Sequence, residues 1–118
     1  MKYRLTDEKH PSNPALKRIQ ATNDFLWVRT GDLGGWIEAE FNLSHEGNCW
    51  VADEAVACER AVVSDDALVC HEARVSGLST VCGSAEVTDR AVVSGGAFVG
   101  GQAFIRGDSV ITGNSVVR

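Results

Sequence analysis

From Trp50 onward the chain divides into consecutive blocks of six residues without a gap: WVADEA, VACERA, VVSDDA, LVCHEA, RVSGLS, TVCGSA, EVTDRA, VVSGGA, FVGGQA, FIRGDS, VITGNS and a final VVR. The second place is Val or Ile in eleven of twelve blocks, with Ala57 the exception. The sixth place is Ala or Ser in all eleven complete blocks. A helix would need apolar residues at a 3.6-residue spacing, which this run lacks. Its Gly and β-branched residues also disfavour helix. A plain amphipathic strand would alternate without turning every six residues. The pattern therefore predicts a coil of three short strands and three corners, with three blocks to each turn.

Each place in the block has its own chemistry. The β-branched residue fills the interior, and the Ala or Ser lies where the inward space is narrow. The pair between them, such as Gly95-Gly96 or Gly113-Asn114, sits at a corner, where Gly and Asn tolerate positive φ. Ile37 and Leu43 are six apart and carry the pattern backward. Val51 is eight beyond Leu43, so two residues loop out near His45-Glu46-Gly47-Asn48. Fourteen blocks make between four and five coils, roughly 22 Å of stacked strands at about 4.8 Å each.

Residues 1–36 do not repeat. Pro11-Ser12-Asn13-Pro14 reads as a turn or loop. Leu16 to Gln20 and Phe25 to Arg29 read as short strands, and Thr30 to Trp36 as a Gly-rich approach to the coil. The expected organisation is a β cap over 1–36, packed on a repeat domain over 37–118. The cap shields the edge of the first coil from unwanted stacking. The last block ends in mid-repeat at Arg118, where solvent or another chain covers the edge.

Motifs in the N-terminal half carry a resemblance. They are K-Y-R-L at 2–5, R-I-Q-A-T-N-D-F at 18–25, G-D-L-G-G-W-I-E at 31–38 and N-L-S-H-E-G-N-C-W-V-A-D-E-A at 42–55. Together with the repeat, they are similar to the YdcK-like family of bacterial and phage hexapeptide-repeat proteins, which are labelled transferases by fold analogy. The resemblance implies an all-β, left-handed parallel β-helix with a small N-terminal β cap. The hand comes from it alone, because the general preference is for right-handed crossovers. It offers no established catalytic residues to carry over. The chain looks much shorter than the bacterial members, as a phage version would be.

The chain has 118 residues and a net charge of −5, which argues against direct nucleic-acid binding by the whole chain. Most of the charge lies in residues 50–118, with five Arg against nine Asp and Glu. No apolar window is long enough to span a membrane. The polar start from Met1 to Lys9 lacks the apolar core of a secretory signal. A cytoplasmic location in a bacterial host is the expectation, with reduced cysteines. Of the four, Cys49, Cys58, Cys70 and Cys82, none forms a C-x-x-C pair. Cys58, Cys70 and Cys82 are twelve apart and fall on three different sides, pointing outward. No metal site or disulfide is expected among them.

Two surfaces stand out as binding candidates. Val56, Val92 and Val110 line one side of the prism, and Val62, Phe98 and Val116 another, suiting a flat protein or homo-oligomer interface. One corner carries a carboxylate in every coil, through Asp53, Glu54, Glu72, Asp89 and Asp108. Such an acidic edge suits a basic partner, including a host protein that itself binds nucleic acid. The reading favoured here is a non-catalytic protein-binding module. If phage-derived, it would bind and block a host enzyme or defence complex, with no cofactor.

The resemblance also implies an alternative. Hexapeptide-repeat acyltransferases pack as trimers and hold an acyl-coenzyme A between two helices, where a His acts as general base. His71 and His45 are the available bases, and coenzyme A would be the cofactor. A third reading is a structural module that stacks end to end.

Overall fold

A computed structural model describes all 118 residues. After an N-terminal hairpin and a bridging strand, twelve two-residue strands follow at six-residue intervals. The hairpin pairs β1 (Tyr3–His10) with β2 (Asn13–Ala21), and the bridging strand is β3 (Leu33–Ile37). A single turn of 3-10 helix covers Glu40–Asn42. The coil strands are β4 (Trp50–Val51), β5 (Val56–Ala57), β6 (Val62–Val63), β7 (Leu68–Val69), β8 (Arg74–Val75), β9 (Thr80–Val81), β10 (Glu86–Val87), β11 (Val92–Val93), β12 (Phe98–Val99), β13 (Phe104–Ile105), β14 (Val110–Ile111) and β15 (Val116–Val117). They pair in parallel with the strand three blocks away, so three sheets wrap one interior. Leu43 extends the third sheet backward through a bridge to Val63. The protein is a parallel β-helix of about five turns with an N-terminal β cap.

The second-place residues form the core. Val51, Val63, Val69, Val75, Val81, Val87, Val93 and Val99 are all fully buried. Burial of each valine contributes about 1.5–3 kcal/mol against exposure. The small sixth-place residues let the next side begin without crowding. Ala55, Ala61, Ala67, Ala73 and Ser79 have no exposed surface.

Each corner is a β-turn closed by a bond from the sixth-place N–H to the third-place carbonyl, as from Ala61 to Cys58 at 3.2 Å. Its fourth-place residue has positive φ throughout, from Asp53 (φ 56°) to Gly113 (φ 65°). Two residues do loop out before Trp50, where Gly47 takes φ 71°.

The N-terminal segment departs from the expected strands. The hairpin is longer than the sequence suggested. β2 starts at Asn13, so only Pro11 and Ser12 remain in the turn. Phe25 to Arg29 is a turn closed by one bridge between Phe25 and Val28, not a strand. β3 belongs to both parts of the molecule. It pairs antiparallel with β2 (Arg18↔Trp36) and parallel with β5 (Trp36↔Val56). Gly34 and Gly35 permit this junction, since a Cβ on Gly35 would lie 2.4 Å from the Ala55 carbonyl oxygen.

Tyr3, Ile19, Phe25 and Trp50 close the first coil, with Phe25 edge-on to Trp50 at 5.2 Å. The Tyr3 hydroxyl donates its one hydrogen toward the Leu43 carbonyl at 2.6 Å, with the Glu40 carbonyl 3.0 Å away. Burial pushes its pKa far above the usual phenol range, with Glu40 and Cys49 adding to the shift. Lys2 is also buried, and its ammonium donates to the Cys49 carbonyl at 2.6 Å.

Candidate functional site

The carboxylate-bearing corner is built from fourth- and fifth-place residues. Between coils, the fifth-place N–H bonds the fourth-place carbonyl above it, as from Glu54 to His71 at 3.0 Å. The fourth-place N–H is left over by this ladder, and the side chain one coil before it fills the vacancy wherever that residue is not Gly. Asp53 accepts from His71 N–H (3.1 Å) and Asp89 from Gly107 N–H (2.9 Å). The other corners do the same, with Glu59 on Gly77 N–H and Asp65 on Gly83 N–H, both at 2.9 Å. A non-Gly residue at positive φ costs about 1–2 kcal/mol. A hydrogen bond to a charged group contributes about 1.5–3 kcal/mol, enough to offset it.

These internal bonds change the reading of the acidic edge. Glu54 binds the Trp36 indole N–H (3.2 Å) and the Arg18 guanidinium (3.1 Å), which hold its carboxyl below the usual range. Asp108 lies 3.3 Å from Arg90. The Gly107 N–H keeps the Asp89 carboxyl low. Glu72 alone in this set has no side-chain partner. The column of carboxylates is a set of turn caps and ion pairs more than a free charged strip.

His71 stands in the same column with φ 58°. Its Nδ1 lies 2.7 Å from Thr88 Oγ1 and 3.4 Å from the Asp89 N–H. Cys70 donates its thiol hydrogen to the same Thr88 oxygen at 3.3 Å. This pattern assigns Nδ1 as an acceptor and puts the neutral ring proton on Nε2. Cys70 points into this cluster and is buried, which raises its thiol pKa. The donor atoms of Asp53, Cys70 and His71 all fall within 4.8 Å of one another. The sequence reading compared the cysteines only with each other and so missed this grouping. The adjacency of Cys70 and His71, with Asp53 one coil away, was the available signal.

The other candidates are dispersed. His45 is part of the cap, stacked on Tyr3 at 4.1 Å between ring centres. Its Nδ1 accepts from Lys2 N–H and its Nε2 lies 3.0 Å from Glu40. The three in-repeat cysteines are less exposed than their outward places suggested. Cys58 and Cys70 are buried and Cys82 is half-buried.

The apolar sides need a similar correction. Val56 is only 7 % exposed, because Leu16 of the hairpin and Trp36 pack over it. Val92, Val62 and Phe98 are half-buried, while Val110 and Val116 are exposed. The register keeps each set on one face, as Val92↔Val110 and Phe98↔Val116.

The corner between those two faces was not anticipated. Phe41 and Leu78 are 56 % and 67 % exposed and flank an open cleft of about 850 Å³. Glu38, Glu59, Arg60 and Gly77 complete its lining. Leu78 is the one apolar residue at the fifth place of any complete block from Trp50 onward, which was the signal in the sequence. A smaller cleft of about 170 Å³ lies between the Phe25–Val28 turn and Trp50, Leu68 and Glu86.

No family model matches the chain. A curated protein of Escherichia coli (strain K12), described as "Uncharacterized acetyltransferase YdcK", is 40 % identical over 72 residues, covering 52 % of this chain. The chain resembles YdcK. It spans 22 % of that relative's length. The likeness and the three-sided stack both agree with the hexapeptide-repeat pattern of the sequence. No helix is long and apolar enough to cross a membrane.

Proposed function

We propose that the chain is a non-catalytic protein-binding module of the bacterial cytoplasm, engaging its partner through the Phe41–Leu78 corner. The carrying observation is that two large apolar side chains, each more than half exposed, flank one cleft. Exposed apolar groups brought together in this way mark interaction surfaces. The two valine-bearing faces meet at this corner and extend the apolar area on both sides. The Arg60 guanidinium borders the cleft and has no ion-pair partner in the chain. A partner segment with an apolar anchor beside a carboxylate fits that chemistry. A host enzyme or defence complex is the finer form of this reading.

The test is binding by wild type and Leu78→Asp, with a photo-crosslinking residue placed at Phe41. A discrete crosslinked partner, lost in Leu78→Asp while the fold is kept, supports the reading. Equal capture by both proteins overturns it.

Similarity to a protein described as an acetyltransferase favours a second reading, acyl transfer from acyl-coenzyme A. In its support, His71 is largely exposed. Against it, the acceptor nitrogen of His71 is occupied within the turn, so Nε2 is not poised as a base. Calorimetric titration with acetyl-coenzyme A and light scattering decide between them. A trimer that binds the thioester would favour transfer.

A further inference from the structure

Three donor types converge at one corner, where a carboxylate, a thiol and an imidazole are grouped. Cys70 directly follows β7, and its sulfur meets the Thr88 hydroxyl of the next coil. His71 follows in the turn and directs Nδ1 toward the same space, because Thr88 lies between the two. Asp53 reaches it from the coil before. The three donor atoms lie within 4.8 Å of one another. Edges of a tetrahedral zinc site are shorter, about 3.3–3.8 Å for bonds of about 2.0–2.3 Å. Asp53 and His71 are exposed side chains, so closing this gap needs rotations and no movement of the core.

We infer that Asp53, Cys70 and His71 form a site for one divalent transition-metal ion of the zinc class. The donor set selects the ion. A thiolate and an imidazole suit zinc or cobalt, whereas magnesium and calcium prefer oxygen alone. The ion takes the place of the Thr88 hydrogen bonds, and the Cys70 thiol releases its proton to solvent as the metal–sulfur bond forms. No electron changes hands. Asp89 adds a carboxylate beside the three donors, and negative charge there attracts a dication. Three protein ligands leave a fourth position for water, or for Asp89, whose Oδ1 is 3.4 Å from Nδ1.

The experiment uses full-length protein freed of metal with a chelator, then titrated with zinc by calorimetry and with cobalt by absorption. The expected result is one ion per chain, with a cobalt–thiolate charge-transfer band and the intense visible bands of a four-coordinate ion. His71→Gly keeps the positive-φ turn while removing the imidazole. It and Cys70→Ser should each weaken zinc binding at least about tenfold. Cys82→Ser, at the matching place of another corner, should leave binding unchanged. Absence of the thiolate band overturns the inference. So does zinc binding of equal strength in His71→Gly, which tests the site even if Cys70→Ser fails to fold.

Discussion

The Asp53 carboxylate accepts the backbone N–H of His71, one full coil away, at 3.1 Å. The same relation recurs with Glu59 and Gly77, Asp65 and Gly83, and Asp89 and Gly107. It ties successive turns together at the one backbone donor that the strand ladders leave free. Asp65 isolates the effect. Asp65→Ala keeps the strained φ of 58° and loses the cap, so it should lower stability by about 1–2 kcal/mol. Asp65→Gly loses the cap but relieves the strain, and should cost less. Urea midpoints of the two variants check the order.

Stability should fall at both ends of the pH scale for identifiable reasons. The Asp89 carboxyl is held below its ordinary range by the Gly107 N–H. A lowered folded pKa means that the proton binds better to the unfolded chain. The contribution is present above the ordinary carboxylate pKa of about 3.9 and is lost as pH falls through the folded value. Asp89→Asn should flatten this acid limb. The Tyr3 phenol is shifted the other way, by burial first. Its contribution is intact below about pH 10 and is lost as pH rises toward the folded value. Tyr3→Phe should begin about 1 kcal/mol less stable and lose less above pH 10. Urea midpoints against pH test both.

Gly35 should tolerate no side chain. An added Cβ would meet Ala55 O at 2.4 Å and Val51 Cγ1 at 2.9 Å. Gly35→Ala should cost at least about 2 kcal/mol by overpacking. Because β3 links the hairpin to the coils, Trp36 and Trp50 fluorescence should shift toward that of exposed indole before the repeat unfolds.

The core should resist changes of size in either direction. Ala67 and Val69 are both fully buried, on either side of Leu68 where one side of the coil begins. Val69→Ala leaves a cavity and should cost about 2 kcal/mol, while Ala67→Val forces methyls against the coil backbone and should cost about 1–3 kcal/mol. Restoring total volume in the double variant should recover little, because the two sites have different shapes. Thermal unfolding of the three variants measures this.

The fold was legible because its cause is written locally. Val at the second place and Ala or Ser at the sixth recur often enough to define the interior without any three-dimensional information. The hairpin was read less well, because Tyr3–His10 alternates weakly and its partner starts at Asn13 and Pro14, residues that usually mark turns. The site was the least legible part. Asp53 and Asp89 look like solvated corner charges in a linear reading, and their backbone partners lie 18 residues away. Val56 seemed exposed because nothing in the repeat reveals that Leu16 covers it. Cys70 and His71 were both noticed, but the period that separates the cysteines says nothing about a neighbouring imidazole.

The three-block register also makes the length of this protein a discrete quantity. Loss or gain of 18 residues between Val51 and Val99 would return every strand to an equivalent partner and every cap to another fourth-place N–H. Loss or gain of six would keep the interior continuous yet turn everything downstream by one face, carrying Val110 to a different side from Val56. Such a chain could still fold with its surfaces reassigned. A six-residue indel is therefore a change of address more than a change of fold.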